Sequence, residues 1–508
     1  MRQPFFDRLS EQAFKQPEKI AIEDRQHRIS YAELLQRLAD HRQQLAELGV
    51  EPGQRVLVWA QKSSSTAVWL LALISFGAVP APAHPALKPH QVRRLAHTID
   101  ASWLLLDSAH LPHFQATENT PSAEFFLCTP NGDKLSALGM LSTAPGNNQP
   151  VCHDPELKEA IIFFTSGSTG GPKGVCVSTD NLLVGIEQVS AYLGLTDQDI
   201  IAGILPLAFD YGFSQLTTAL YNGAQIYFDD YLLPADLKRP LLEKRATVLA
   251  ATPGLLVPLA LQRWLPEAES LRLVCHSGGH LPVKTVRALR AGRPDVDLYL
   301  MYGLTEAFRA SYLPPDEVDE HPESAGYPLP GTTLGVIDEH GVLLQAGEVG
   351  QIIQGGPLVS MGYVNDPKAT RERFIRAPKN WPGGDEQTVV CTGDLGHFDT
   401  QGRIYIHGRI DEQLKIGGVR VSPEEIEQAA VGFDQVTEAA AVSQPIEGGE
   451  QLVLHIAPII DDINKLRHYL REQLAPFQQP ARIVAHEQLP RSANNKFDRQ
   501  KLRQPDSN

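Results

Sequence analysis

The densest chemistry in the chain lies in the run Thr165-Ser166-Gly167-Ser168-Thr169-Gly170-Gly171-Pro172-Lys173-Gly174. Hydroxyls, backbone N–H groups and one cation in a glycine-rich turn suit a polyphosphate. Glycine lets the backbone approach a phosphate without a Cβ in the way. The run follows the apolar segment Ala160-Ile161-Ile162-Phe163-Phe164, which reads as a buried strand. It is not a Walker A loop, because Pro172 precedes the lysine and Gly174 stands where Ser or Thr is required. It is not a nucleophile elbow either, since Ser166 takes the place of the first glycine. Three charged residues downstream could complete such a site. Glu306 follows Thr305 after an apolar run, as a strand-end carboxylate would, Asp394 stands between Gly393 and a β-type run, and Lys496 lies near the end of the chain. Taken singly, the last two read as a turn aspartate and a solvated lysine.

The order of these segments carries a resemblance. After the glycine-rich loop come Leu205-Pro206-Leu207-Ala208-Phe209-Asp210, Met301-Tyr302-Gly303-Leu304-Thr305-Glu306, Thr392-Gly393-Asp394, Gly408-Arg409-Ile410-Asp411-Glu412-Gln413-Leu414-Lys415 and Asn494-Asn495-Lys496-Phe497-Asp498-Arg499. In this order they resemble the adenylate-forming superfamily: acyl-CoA synthetases, amino-acid adenylation domains and beetle luciferases. Within it the chain looks most like a stand-alone bacterial acyl-CoA ligase or a stand-alone adenylation enzyme. The resemblance implies an AMP-forming ligase that adenylates a carboxylic acid with ATP and Mg²⁺, then passes the acyl group to a pantetheine thiol of CoA or a free carrier protein. It implies that Thr165, Ser166, Gly167, Ser168, Thr169, Gly170 and Lys173 hold the phosphates, and that Thr165 and Glu306 act in catalysis with Glu306 on Mg²⁺. Tyr302, Gly303 and Thr305 would meet the nucleotide, Asp394 the ribose hydroxyls, and Arg409 the nucleotide from the domain junction. Lys496 would bridge the substrate carboxylate and the α-phosphate, where a fixed cation stabilises spreading negative charge.

By the same resemblance Asp411 is a hinge, and Lys415, Gly417 and Gly418 line the approach of the thiol. The acid pocket would be drawn from Asp210, Tyr211, Ser214, Cys275, Ser277, Met301, Arg309 and Ala310. Asp210 favours an amino acid, because in amino-acid adenylation domains an aspartate in this motif pairs with the α-ammonium. Phe209-Asp210-Tyr211-Gly212-Phe213-Ser214-Gln215 also resembles acyl-CoA ligases whose substrates carry no amine, so both classes stay open. Arg309 has three readings: it neutralises Asp210, binds an acidic group of the substrate, or points outward. There are departures from the family pattern. Asn495 replaces the usual glycine before the lysine, and Thr179 stands where many relatives carry histidine. Twelve residues follow Lys496, so the acceptor thiol is expected from solution. A loading enzyme specific for an amino acid and a nucleotide-binding regulator without catalysis are the alternatives.

These residues need a large scaffold. The chain has 508 residues, 42% of them hydrophobic, too many for one core. Ser30-Tyr31-Ala32-Glu33 is a capping box opening a helix that Gly49 ends. A strand over 55–60 and a buried helix starting at Ser63–Ser65 follow, so strand alternates with helix. The apolar stretch from Ala67 to Val79 is too short to span a membrane. Residues 108–156, rich in Pro, Asn, Ser and Thr, read as irregular surface. From about 331, short β-type runs suit a small barrel or sheet, and Ser422-Pro423-Glu424-Glu425 opens a helix of a separate unit. The fold expected is α/β: a large layered N-terminal domain over 1–408 with a β-barrel-like subdomain, a hinge at 409–411, and a small mobile α+β domain over 412–508. A formal net charge of −15 argues against general nucleic-acid binding. Five cysteines with no C-x-x-C spacing read as core thiols of a reducing compartment. With no signal peptide evident at the N-terminus, the expected location is the cytoplasm.

Overall fold

The computed structural model describes residues 2–110, 124–128, 135–140, 159–166, 171–279, 281, 283–410, 414–416, 419–421, 423–446, 449–490 and 498–503. Its N-terminal part is built on two sheets with helices between them. The first has nine strands in the order Tyr327–Pro328, Ser311–Leu313, Asp297–Tyr302, Leu273–His276, Val248–Ala251, Ile200–Gly203, Gln225–Phe228, Ile20–Glu23 and Arg28–Ser30. The six strands from Asp297–Tyr302 to Ile20–Glu23 run parallel, with antiparallel strands at both edges. Their side chains are buried in near-continuous apolar runs, as parallel strands covered on both faces require.

The second sheet has five strands in the order Val79–Ala83, Arg55–Trp59, Trp103–Leu106, Glu124–Cys128 and Leu135–Met140. Its last two strands lie within the 108–156 stretch expected to be irregular. Glu124–Cys128 extends the parallel sheet, and Leu135–Met140 closes it antiparallel. Pro80 and Pro82 belong to a strand. They are accommodated because Val79–Ala83 is the edge of this sheet.

The buried helix runs from Ser64 to Phe76, capped by Ser63 and stopped by Gly77 at φ 107°. Every residue from Thr66 to Ile74 is buried, so the helix has no polar face to show in its sequence pattern. It packs with the helices Arg2–Lys15, Tyr31–Glu47, Thr179–Tyr192 and Asp210–Tyr221 in one core between the two sheets. The Ser30 capping box is formed, and Gly49 has φ 82°.

The strands Glu159–Ser166 and Pro172–Ser178 form an antiparallel hairpin, with Glu159–Ser166 against the edge strand Val79–Ala83. Thr333–Ile337, Gly350–Gly355, Thr388–Phe398, Phe374–Arg376 and Ile404–Arg409 form an antiparallel sheet. The residues after Ile410 have cores of their own, one drawn wholly from Leu414 to Ile483. Glu438–Ile446, Gly449–Ala457 and Arg482–Ala485 form their sheet, and Leu414–Ile416 pairs with Val419–Val421 in a hairpin. The helix Pro423–Val431 starts where the second capping box places it, although Ser422 lies outside the described residues. Among the described residues, no helix is long and apolar enough to cross a membrane.

Candidate active site

The parallel strands of the nine-stranded sheet deliver their C-terminal ends to one edge, where open α/β sheets bind ligands. The strand Asp297–Tyr302 leads directly into Gly303, Thr305 and Glu306. Glu306 is 2% exposed, and its Oε1 accepts a 2.7 Å hydrogen bond from the hydroxyl of Tyr363. The Tyr363 ring lies under the ammonium of Lys173, whose Nζ is 4.9 Å from the ring centre. Lys173 is in register with Thr165 across the hairpin. Thr165, Lys173, Tyr363 and Glu306 therefore form one connected group at the mouth of the glycine-rich loop. Residues Gly167, Ser168, Thr169 and Gly170 of that loop lie outside the described residues. Ser166 ends the first strand of the hairpin.

A second group stands nearby. The Tyr302 hydroxyl donates to Asp394 Oδ2 at 2.6 Å, and Asp394 is 1% exposed. The backbone N–H of Asp394 donates to Thr392 Oγ1 at 3.1 Å, and that hydroxyl donates to the carbonyl of Ile352 at 2.8 Å. Tyr302, expected to line the adenine site, thus also orients the candidate ribose acceptor. Arg409 is paired in register opposite Asp394 on the neighbouring strand. Gly303 has its own reason to be glycine: a Cβ there would come within 2.6 Å of the Phe308 carbonyl oxygen.

The residues expected to form the acid pocket divide. Tyr211, Ser214, Cys275, Met301 and Arg309 line one cavity of about 20 Å³, floored by Val189, Leu193 and Val248. The Tyr211 hydroxyl donates to the Cys275 carbonyl at 2.9 Å, and that of Tyr192 meets Met301 Sδ at 2.9 Å. Burial pushes the Tyr211 and Tyr192 hydroxyls well above their ordinary pKa, and raises the Cys275 thiol to about 11. Asp210 opens the helix Asp210–Tyr221 and accepts the N–H of Tyr211 at 2.8 Å, but does not line this cavity. Ser277 is buried just past the strand Leu273–His276, also outside it. Ala310 packs against Leu334, Val336, Ile352 and Ile404 and does not line this cavity. Thr179 is buried at the start of the helix Thr179–Tyr192.

Three residues escaped the sequence reading. Tyr363 follows Gly362, whose φ of 108° turns the chain back onto the hairpin. An aromatic residue after such a glycine, before the proline-started helix Pro367–Arg373, is a weak signal. Gln354 is fully buried and donates to the carbonyls of Ala307 and Arg309 at 3.1 and 2.8 Å. Tyr192 reaches the pocket from the last turn of the helix Thr179–Tyr192, together with Val189.

The C-terminal unit docks on this edge. Strand Val419–Val421 lies beside strand Glu159–Ser166. Gln91 Nε2 donates to Glu425 Oε1 at 3.1 Å and to Gln478 Oε1 at 2.8 Å. The ring of His84 stands 4.7 Å from Phe477 and 5.6 Å from Phe209. Lys415 lies on the strand Leu414–Ile416, while Asp411, Gly417, Gly418 and Lys496 lie outside the described residues. The chain beyond Lys496 is anchored: the Asp498 N–H donates to the Pro490 carbonyl at 2.8 Å, and Arg499 pairs with Glu427 at 2.6 Å.

The fold is a large layered α/β domain followed by a small C-terminal one. Comparison with known proteins then gives the family. Residues 9–364 match the AMP-binding enzymes and residues 425–496 match the AMP-binding enzyme C-terminal domain, so the chain belongs to the AMP-binding enzyme family. It is 30% identical over 497 residues to delta-poly-L-ornithine synthetase of Acinetobacter baumannii, covering 96% of this chain and 35% of that protein. The chain thus spans about a third of that relative's length. The amide bond synthetase McbA from Marinactinospora thermotolerans superposes with a TM-score of 0.85 at 22% identity, over 98% of this chain and 99% of that one. A double mutant of o-succinylbenzoate CoA synthetase from Bacillus subtilis, bound with its product analogue, gives 0.80 at 23% identity, over 97% and 98%.

Proposed function

We propose that the chain is an AMP-forming acid–thiol ligase. In the first step a substrate carboxylate oxygen attacks the α-phosphorus of ATP, the bond to the β-phosphate bridging oxygen breaks, and pyrophosphate leaves. In the second a thiol sulfur attacks the acyl carbon, the thiol proton passes to solvent, and AMP departs as the acyl–oxygen bond breaks. The observation that carries the reading is the pair of groups on one sheet edge. Thr165, Lys173, Tyr363 and Glu306 suit a polyphosphate, and Tyr302 with Asp394 suits a nucleoside. An ionised carboxylate only accepts hydrogen bonds, which matches a ribose diol.

Magnesium fits the residues present. Among the described residues no three metal-ligating side chains gather into a cage, and Mg²⁺ with nucleotides needs only one or two carboxylates beside the phosphates. Glu306 is the residue that would hold it, and the ion would supply charge neutralisation on the phosphates. Lys496 is the cation proposed for the first step. The hairpin carrying Lys415, docked beside the Thr165 strand, supports an arrangement suited to the second step, so rotation about 409–411 would exchange the two faces. The acceptor is CoA or a free carrier protein. Cys176, Cys275 and Cys391 are buried free thiols, which supports a reducing compartment such as the cytoplasm.

A second reading has its own support: an enzyme that activates an amino acid and loads it on a carrier. The ornithine-polymer relative and Asp210 at the start of its helix favour it. Retention of Thr165, Lys173, Glu306, Asp394 and Lys496 speaks against a regulator without catalysis. ATP–pyrophosphate exchange over a panel of acids and amino acids tests the proposal. Exchange with at least one acid is expected, and activity confined to amino acids would select the second reading. Silence across the panel with Mg²⁺ present would overturn both.

A further inference from the structure

The acid pocket contains a charge that no described residue neutralises. Arg309 is 3% exposed, and its guanidinium carbon stands 4.4 Å from the centre of the Tyr211 ring and 5.2 Å from that of Phe308. Nη1 donates to the Phe308 carbonyl at 3.1 Å, the group also reaches the Tyr192 hydroxyl, and Nε has no acceptor. Among the described residues no carboxylate lies within ion-pair distance of it. Asp210 turns its Oδ1 to the N–H of Tyr211. The titratable neighbours cannot supply the missing charge, because burial holds the Tyr211 and Tyr192 hydroxyls and the Cys275 thiol protonated at neutral pH. A buried cation without an anion is strongly unfavourable, and cation–π contact offsets that only in part.

The position is built, not incidental. Phe308 holds φ 54°, a region a bulky residue adopts only when its surroundings impose it. Gln354 clamps the carbonyls on either side of it, and the Phe308 ring fills the space left by Gly185, where a Cβ would come within 2.6 Å. This turn delivers the guanidinium into the cavity between Tyr211, Met301 and Cys275.

We infer that the acid activated here carries a second anionic group, remote from the reacting carboxylate, and that Arg309 binds it. The inference rests on the ligase reading and names its substrate class. The cavity is small, about 20 Å³, which suits a compact charged end group beside Arg309. Removing the far charge leaves Arg309 buried and unpaired, whereas an apolar replacement of Arg309 removes that penalty.

The test is ATP–pyrophosphate exchange with the full chain on matched pairs: succinate with succinamate, glutarate with glutaramate, and aspartate with asparagine. For at least one pair the diacid is expected to exceed its half-amide in kcat/KM by about thirtyfold or more, the scale of losing one partner of a buried charge pair. Arg309→Met is expected to abolish or invert that preference while still activating the half-amide. Should the variant fail to fold, the preference of the parent enzyme and its thermal upshift by diacid over half-amide carry the test. Exchange with monocarboxylic acids but no preference in any pair overturns this inference and leaves the ligase standing. Silence with every acid overturns the ligase reading itself.

Discussion

Acidification should loosen the docked C-terminal domain in part through the ring of His84, beside a smaller contribution from His90, which meets Glu425 and Gln473. His84 lies between Phe209 of the large domain and Phe477 of the small one. Its Nδ1 accepts the N–H of Ala86 at 3.2 Å, so the docked form uses the neutral ring. Burial holds its pKa at about 4, below the ordinary 6.5. Part of that burial comes from Phe477 and would disappear on the domain rotation proposed above. The open form therefore binds the proton more tightly. Docking is at full strength above about pH 6.5 and weakens as pH falls toward 4. At pH 5 the loss is at most about 2 kcal/mol, a shift of up to about thirtyfold toward the open form. The figure is an upper limit because Phe209 still covers the ring after opening. Resonance energy transfer between one dye on each domain, followed from pH 8 to pH 4.5, reads the equilibrium directly. The parent is expected to open on acidification, and His84→Gln to show a flatter response. An equal pH response in both, or none in the parent, would refute the role given to His84.

Three further outcomes follow from the site. Asp394→Asn keeps the shape but removes the charge that receives the Tyr302 hydroxyl, and should raise the KM for ATP by about tenfold or more, at roughly 1.5–3 kcal/mol for a charged hydrogen bond; an unchanged KM would remove Asp394 from the nucleotide site. Gly185→Ala presses on the Phe308 ring from 2.6 Å and should cost about 1–3 kcal/mol in urea unfolding. It should also raise the KM for the acid more than that for ATP, and equal effects on both would separate Phe308 from the acid pocket. Tyr363→Phe deletes the hydroxyl on Glu306 and should shift the magnesium dependence of exchange upward with little change in folding; an identical magnesium curve would contradict the placement of the ion at Glu306.

Much of this was legible because the chemistry is local in sequence. The run from Thr165 to Gly174, the Tyr302–Glu306 segment and Asp394 each carry their own turn or strand-end signature. Thr165, Lys173 and Asp394 are tied to the end of the strand Asp297–Tyr302 through Tyr363 and the Tyr302 hydroxyl. The Ser30 capping box was readable since a cap is set by four consecutive residues. What failed depends on distant partners. Glu124–Cys128 and Leu135–Met140 are strands because a sheet edge was waiting for them, and their loop-like surroundings in the sequence hid that. The Val79–Ala83 strand contains two prolines that only an edge position permits. Ala310, placed near the pocket by its motif, packs against Leu334 and Ile352, residues distant in sequence. Tyr363 and Gln354 act across more than forty residues of sequence, a distance over which no periodicity speaks.

The most direct measurement separates the two half-reactions in Lys496→Ala. Acid-dependent pyrophosphate exchange should fall by about a hundredfold or more, the scale of one preorganised charge at a phosphoryl transition state. Transfer from preformed acyl-adenylate to a pantetheine thiol should stay close to the parent rate. Exchange by the variant at the parent rate would contradict the assignment of Lys496 to adenylation, and with it the two-state use of the small domain.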